Sequence, residues 1–214
     1  MKKFIIILIL LIPALKVNAQ EIGELAPEKA PAQFPRNSWG ADIMFGEGGF
    51  GLGTFYRRNL VGNLSFFSDF SISEAKDEQE IEYIDYYGRT FVVGKKNRIL
   101  QMPFNVGLQQ RIFSTIISDN LRPYISAGVG PSFIVTTPYE LEFFSSFKKA
   151  RGYFTAGGYV GFGAYFGLDQ DNLVGINIRY YIIRFFNEGI ESLEGKYKKD
   201  LGGFYLTLNI GKMY

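Results

Sequence analysis

Three stretches of the chain carry residue types able to do chemistry. Gly46-x-Gly48-x-x-Gly51 has the spacing of a dinucleotide-binding glycine loop, which needs a strand before it and a helix after it to cradle a pyrophosphate. Here period-two apolar patterns flank both sides, so a hairpin turn is the better reading. Asp169-Gln170-Asp171-Asn172 offers the oxygen ligands that calcium takes, but no glycine and distal glutamate follow at loop spacing. A turn in which Asp and Asn hydrogen-bond the backbone fits better. Glu74-x-Lys76-Asp77-Glu78-x-Glu80-x-Glu82 is a charge run followed by Tyr83, Tyr86 and Tyr87. It reads as a solvated loop or, more sharply, as a binding surface, because loops carry function and tyrosines favour interfaces.

Catalysis finds little material. Ser–His–acid and acid–His sites need histidine, and the chain has none. It also has no cysteine, which removes disulfides, thiolate metal sites and a lipid-anchored cysteine. A serine–lysine pair stays open in principle, but the loops offer no marked spacing for one. The expectation is a protein that is not an enzyme and that holds no cofactor or metal.

The elements that position these residues begin after a leader. Met1-Lys2-Lys3 is a short basic segment, residues 4–15 are apolar apart from Pro13, and Val17-Asn18-Ala19 suits a signal peptidase. Residues 1–19 read as a secretory signal peptide, too short in its apolar run for a spanning helix. The leader holds three lysines and no acid, so removing it turns the formal charge of +2 into −1. No basic footprint for nucleic acid remains. Residues 20–37, with Pro27, Pro31 and Pro35, read as an extended periplasmic lead-in.

From residue 38 to 214 the pattern repeats. Apolar and polar residues alternate over 39–46, 50–57, 64–72, 100–111, 124–135, 153–166, 174–182 and 203–214, and each alternation is the period of a half-buried strand. Three connections are short; the three spanning 74–98, 137–151 and 185–200 are long and hold most of the charge. Within the first long one, Ile81, Tyr83, Phe91 and Val93 fit an extended hairpin. Eight strands with short turns on one side and long loops on the other predict an all-β, antiparallel, up-and-down transmembrane barrel.

Alternation alone does not say which face meets lipid, since a soluble carrier barrel alternates too, with its apolar side inward. The polar face decides. Its charged members are Asp42, Arg57, Asp69, Arg111 and Arg179, among Gly, Ser, Thr, Asn, Gln and Tyr. A wet exterior would carry far more Lys and Glu. The polar face is therefore expected inside, with Asp42 and Asp69 paired to some of the three arginines. The last strand must pair with the first, because hydrocarbon tolerates no open sheet edge.

The signal segment, the eight alternating runs, Arg122-Pro123-Tyr124-Ile125-Ser126-Ala127-Gly128-Val129-Gly130-Pro131 and the final aromatic strand resemble the small outer-membrane β-barrel proteins of the OmpA transmembrane domain, OmpX and OmpW type, in particular a Bacteroidota-type barrel. The resemblance covers about residues 38–214 and rests on pattern rather than motif. It implies the outer membrane of a diderm bacterium, surrounding lipids, and insertion by the barrel-assembly machinery, with Tyr214 as the assembly signal. The function it implies is a non-enzymatic barrel with a structural or surface-binding role, whose loops 74–98, 137–151 and 185–200 reach an extracellular ligand. A narrow porin-like conduit for small or hydrophobic solutes is the alternative. The absence of histidine argues against the deacylase-like and omptin-like barrel enzymes. Deleting Tyr214 is expected to lower the yield of membrane-inserted, heat-modifiable protein; normal assembly without it would remove the residue from that role.

Overall fold

The computed structural model describes residues 34–214 apart from 77–78, 115, 118–119, 168–170 and 187. The predicted leader, most of the lead-in and Asp169-Gln170 lie outside the described residues. The strands are β1 Asn37–Gly46, β2 Gly49–Val61, β3 Leu64–Ala75, β4 Glu82–Ile84, β5 Thr90–Val92, β6 Asn97–Arg111, β7 Leu121–Pro138, β8 Arg151–Phe166, β9 Asn172–Arg184, β10 Ile190–Leu193, β11 Lys196–Lys198 and β12 Gly203–Met213. A four-residue helix, α1 (Phe143–Ser146), and a 3-10 turn (Phe147–Lys149) sit between β7 and β8.

Eight strands close into one barrel in the order β1-β12-β9-β8-β7-β6-β3-β2, while β4–β5 and β10–β11 form separate hairpins. Each barrel strand runs antiparallel to its neighbours. The β1–β2 turn is Glu47-Gly48, with Gly46 paired to Gly49. The fingerprint-like glycines are thus a hairpin between two strands. The short hairpin β4–β5 pairs Tyr83 with Phe91, but it is a sheet of its own that does not extend the barrel hairpin, and Ile81 and Val93 lie outside its strands. Several barrel strands outrun their predicted bounds: β6 starts at Asn97 and β7 at Leu121. At the start of β6 the outward residue is the charged Arg98, and at the start of β7 Pro123 interrupts the alternation, while the backbone ladder continues.

Side chains sort by parity. Trp39, Phe45, Phe50, Phe104, Phe162 and Phe204 stand exposed on the outside, whereas Asp42, Met44, Tyr124, Asn177, Arg179 and Asn209 are buried inside. An exterior of phenylalanine, leucine, isoleucine and valine around a polar interior is the arrangement hydrocarbon demands. Among the described residues no helix is long and apolar enough to cross a membrane. One end carries both ends of the barrel chain and the connections 62–63, 112–120 and 167–171. The other carries Glu47-Gly48 and the long connections 76–96, 139–150 and 185–202. These are called the terminal end and the loop end.

Closure sets tight steric terms. Gly40 faces Gly211 across the β1–β12 seam. A Cβ on Gly40 would strike the Ile210 carbonyl oxygen, the Gly211 Cα at 2.5 Å and the Phe55 ring at 2.8 Å. Gly107 and Gly128 leave the space taken by the Phe67 ring, whose Cζ would lie 2.7 and 2.8 Å from their Cβ positions. An eight-stranded interior is just wide enough for side chains to fill, and here large rings fill it by using glycines as sockets. The β6–β7 ladder skips Phe104 and Asn105, opposite Pro131, which has no N–H to donate.

Gly40→Leu is expected to cost about 1–3 kcal/mol through overpacking at the seam. The measurement is the urea midpoint of refolded protein, followed by the fluorescence of Trp39, the only tryptophan. Ala41→Leu, one position along but facing lipid, is expected to leave the midpoint unchanged.

Candidate functional site

The lumen is layered. At its middle, Arg179 donates from Nη2 to Asp42 Oδ2 at 2.8 Å, and its Nη1 lies 4.0 Å from Asp69 Oδ2. Asn209 donates to the other Asp42 oxygen. Asn177 donates to Asn209 Oδ1 at 2.8 Å and to the Tyr124 hydroxyl at 2.9 Å. Asp69 accepts from the Tyr159 hydroxyl at 2.6 Å and from Asn105 at 3.1 Å. Arg179 is 2% exposed and Asp42 1%, so the pair has no water to fall back on. A pair this buried is held in place by the penalty of separating it.

The five charged residues predicted for the lumen do not form one network. Asp42, Asp69 and Arg179 come together. Arg57 faces inward but stacks on Phe55, its guanidinium carbon 3.8 Å from the ring centroid, with the Tyr165 ring at 5.3 Å. Arg111 lies near the terminal end and lines a cavity there. The polar face also holds a sixth charge, Arg122, which is buried. Sequence reasoning began that strand at Tyr124 and so passed over Arg122, although it shares the parity of Tyr124. The tyrosines and asparagines of the network carried the right parity as well, but nothing in composition tells a hydrogen-bonding asparagine from a filler.

Towards the loop end, Gln101 donates to Tyr205 at 2.6 Å and to Ser73 at 2.9 Å. Above them Met44, Ile99, Ile134, Ile183, Phe185, Ile190 and Leu201 pack into one buried apolar cluster. Ile190 and Leu201 come from the connection 185–202, so that loop folds into the mouth and stoppers it.

The loops over this stopper are bound to one another. Within the first loop, Lys95 pairs with Glu80 at 2.7 Å with both side chains buried (5% and 3% exposed). The hydroxyl of Ser192, in β10, donates to the same carboxylate at 3.2 Å. Backbone bonds add to the tie, with Lys96 N donating to Ser192 O and Glu194 N to Gly94 O, both at 2.8 Å. Tyr139 brings in the third loop: its N donates to Lys96 O at 2.9 Å, and Arg98 lies over its ring at 4.8 Å. On the exposed rim Lys96 bonds Glu191 at 2.6 Å. That hydrogen bond holds Glu191 below its ordinary carboxylate range and raises Lys96. Lys76 and Glu82 shift in the same senses for the same cause.

The resulting platform carries bare aromatic rings. Tyr86 is 98% exposed and Tyr87 80%, at the turn of the β4–β5 hairpin, and Phe144 and Phe186 are exposed nearby in sequence to the other two loops. A cleft of about 510 Å³ lies between the loops, lined by Lys96, Glu140, Lys149, Arg151, Tyr153 and Tyr197 among others. Among the described residues no cluster of Asp, Glu, His or Cys is placed to hold a metal.

No protein-family model matches the sequence, and no curated protein matches it. Solved structures do resemble the fold. Neisserial surface protein A aligns with a TM-score of 0.52 at 10% identity, covering 83% of this chain and 95% of its own. The N-terminal β-barrel domain of Pseudomonas aeruginosa OprF aligns at 0.47 and 11% identity over 84% of this chain and 98% of its own. Ail, the attachment invasion locus protein of Yersinia pestis, aligns at 0.42 and 12% identity over 82% and 95%. The fold is that of the small eight-stranded outer-membrane barrels, and its apolar exterior suits the same membrane.

Arg179→Met leaves Asp42 buried without its charge partner and is expected to cost about 3–5 kcal/mol, read as a lower urea midpoint of Trp39 fluorescence. Adding Asp42→Asn is expected to recover part of that loss.

Proposed function

We propose that the chain is a non-enzymatic barrel of the diderm outer membrane whose loop end faces outward and presents a binding platform to an extracellular partner. The observation that carries this reading is the occluded lumen. Rings fill its middle, the Arg179–Asp42 pair crosses it, and Ile190 and Leu201 stopper its loop end. A barrel so filled has little left to transport. What it holds out instead is a set of loops joined by the bonds of Ser192 to Glu80, Lys96 to Glu191 and Tyr139 to Lys96.

That joint matters for binding. Loops ordered before contact lose less conformational freedom when a partner docks, and exposed tyrosines supply large contact area at low entropic cost. Lipids of the outer membrane surround the aromatic exterior, and the barrel-assembly machinery serves as the transient partner during insertion. The competing reading is a narrow conduit for small or hydrophobic solutes. It requires a continuous path that the filled interior opposes.

Two measurements decide between them. Purified protein in planar bilayers is expected to give no single-channel steps, and regular steps would overturn the binding reading. For orientation, Tyr86→Cys in this cysteine-free chain is expected to react with a membrane-impermeant maleimide on intact cells. Asn63→Cys, at the terminal end, is expected to stay unlabelled.

A further inference from the structure

The connection 139–150 is drawn back over the outer wall of the barrel. Val135 and Thr137 share the outward parity of the exposed Ile125 and Val129 on β7, yet they are only 9% and 1% exposed. Arg98, outward at the start of β6, shows what covers that flank. Its Nη1 donates to Leu141 O at 3.0 Å and to Pro138 O at 3.3 Å, which holds the start of the connection against the outside of the β6–β7 pair.

Helix α1 and the 3-10 turn follow at once. Around them exposure climbs from Ser146, fully buried, through Phe147 and Phe143 to Phe144 at 86%. Phe143 meets both other rings edge-on, with centroids 5.4 and 5.2 Å away. The side opposite Ser146 is therefore a patch of bare ring, which water disfavours. On the same wall, one outward place before Val135, stands Phe133, its ring centroid 4.9 Å from that of Phe154. Gly152 leaves room for the Phe133 ring, whose Cζ would lie 2.8 Å from a Cβ there. Phe154 is 80% exposed and belongs to the lipid-facing exterior. The rings of α1 continue that aromatic surface past the end of the apolar belt.

We infer that Phe143–Lys149 is an interfacial anchor that lays Phe143, Phe144 and Phe147 into the lipid headgroup layer of the leaflet at the loop end. The position selects lipid as the occupant, because the rings flank the wall and are continuous with a surface that already faces lipid. A short amphipathic turn with bulky rings on one side lies in the plane of the interface, and aromatic residues gather at that level of a barrel. Charge has little part, since Glu140 and Glu142 before the rings balance Lys148 and Lys149 after them. Through Tyr139, whose N donates to Lys96 O, the anchor also steadies the joined loops above the membrane. The inference takes Phe144 out of the partner surface and leaves Tyr86 and Tyr87 in it. It stands whether or not those tyrosines bind a partner.

The test puts a tryptophan on the anchor. Phe144→Trp is made in the full chain with Trp39→Phe, which removes the only native tryptophan, and the protein is reconstituted into phosphatidylcholine vesicles. Tyr86→Trp in the same background marks a loop in water. Phe144→Trp is expected to emit further to the blue than Tyr86→Trp, to be quenched by a lipid carrying a nitroxide on its headgroup, and to be several-fold less sensitive to acrylamide. Equal acrylamide quenching in the two variants overturns the inference. Shielding from both acrylamide and the nitroxide lipid overturns it as well, because a second copy or another loop then covers the ring. The heat-modifiable band reports folding. Should Phe144→Trp lack that band, Phe147→Trp is read in the same way against the same outcomes.

Discussion

Hydrocarbon offers a peptide group nothing to bond, so every N–H and C=O within the membrane must find its partner inside the protein. For a sheet the solution is to have no edge, and the β1–β12 pairing from Ser38↔Met213 to Gly46↔Tyr205 is where this chain meets that demand. Much else follows. Eight strands closed on themselves leave a narrow interior, the interior must be filled, and rings fill it only where glycines yield the room, as Gly107 and Gly128 do for Phe67. The same narrowness forces the inner charges into contact with one another or with rings.

The lumen then divides into three chemistries along its length. Its middle is neutralised by direct pairing, Arg179 with Asp42 beside Asp69. The loop end is dry and apolar, closed by a segment that arrives from outside the barrel wall. At the terminal end Arg57, Arg111 and Arg122 line a small cavity. The paired middle and the apolar loop end together leave no continuous path among the described residues, so the interior reads as a filled core.

The fold was legible in the sequence because a transmembrane strand writes its orientation residue by residue. Phe104 outward and Asn105 inward is a statement made by two adjacent letters. Which arginine meets which aspartate was not legible. Asp42 and Arg179 are 137 residues apart, and only the register of strands distant in sequence brings them together. Arg122 was missed at a strand end, where Pro123 interrupts the alternation. The β4–β5 hairpin showed through as Tyr83 and Phe91. The stopper did not, because Ile190 and Leu201 are isolated apolar residues in a charged loop and nothing local marks them as inward. Helix α1, four residues without a side-chain cap, leaves no periodic trace at all.

The seam has a consequence in time as well as in space. Asn209 and Asp42, which bond across it, are separated by 167 residues, nearly the full span of the barrel. Contacts between such remote parts of a chain form slowly, since the loop entropy is lost before they return anything. Until β12 arrives, β1 is a bare edge able to pair with any other strand it meets. The chain cannot become a barrel by degrees as it is made. The barrel closes only once its last strand is present.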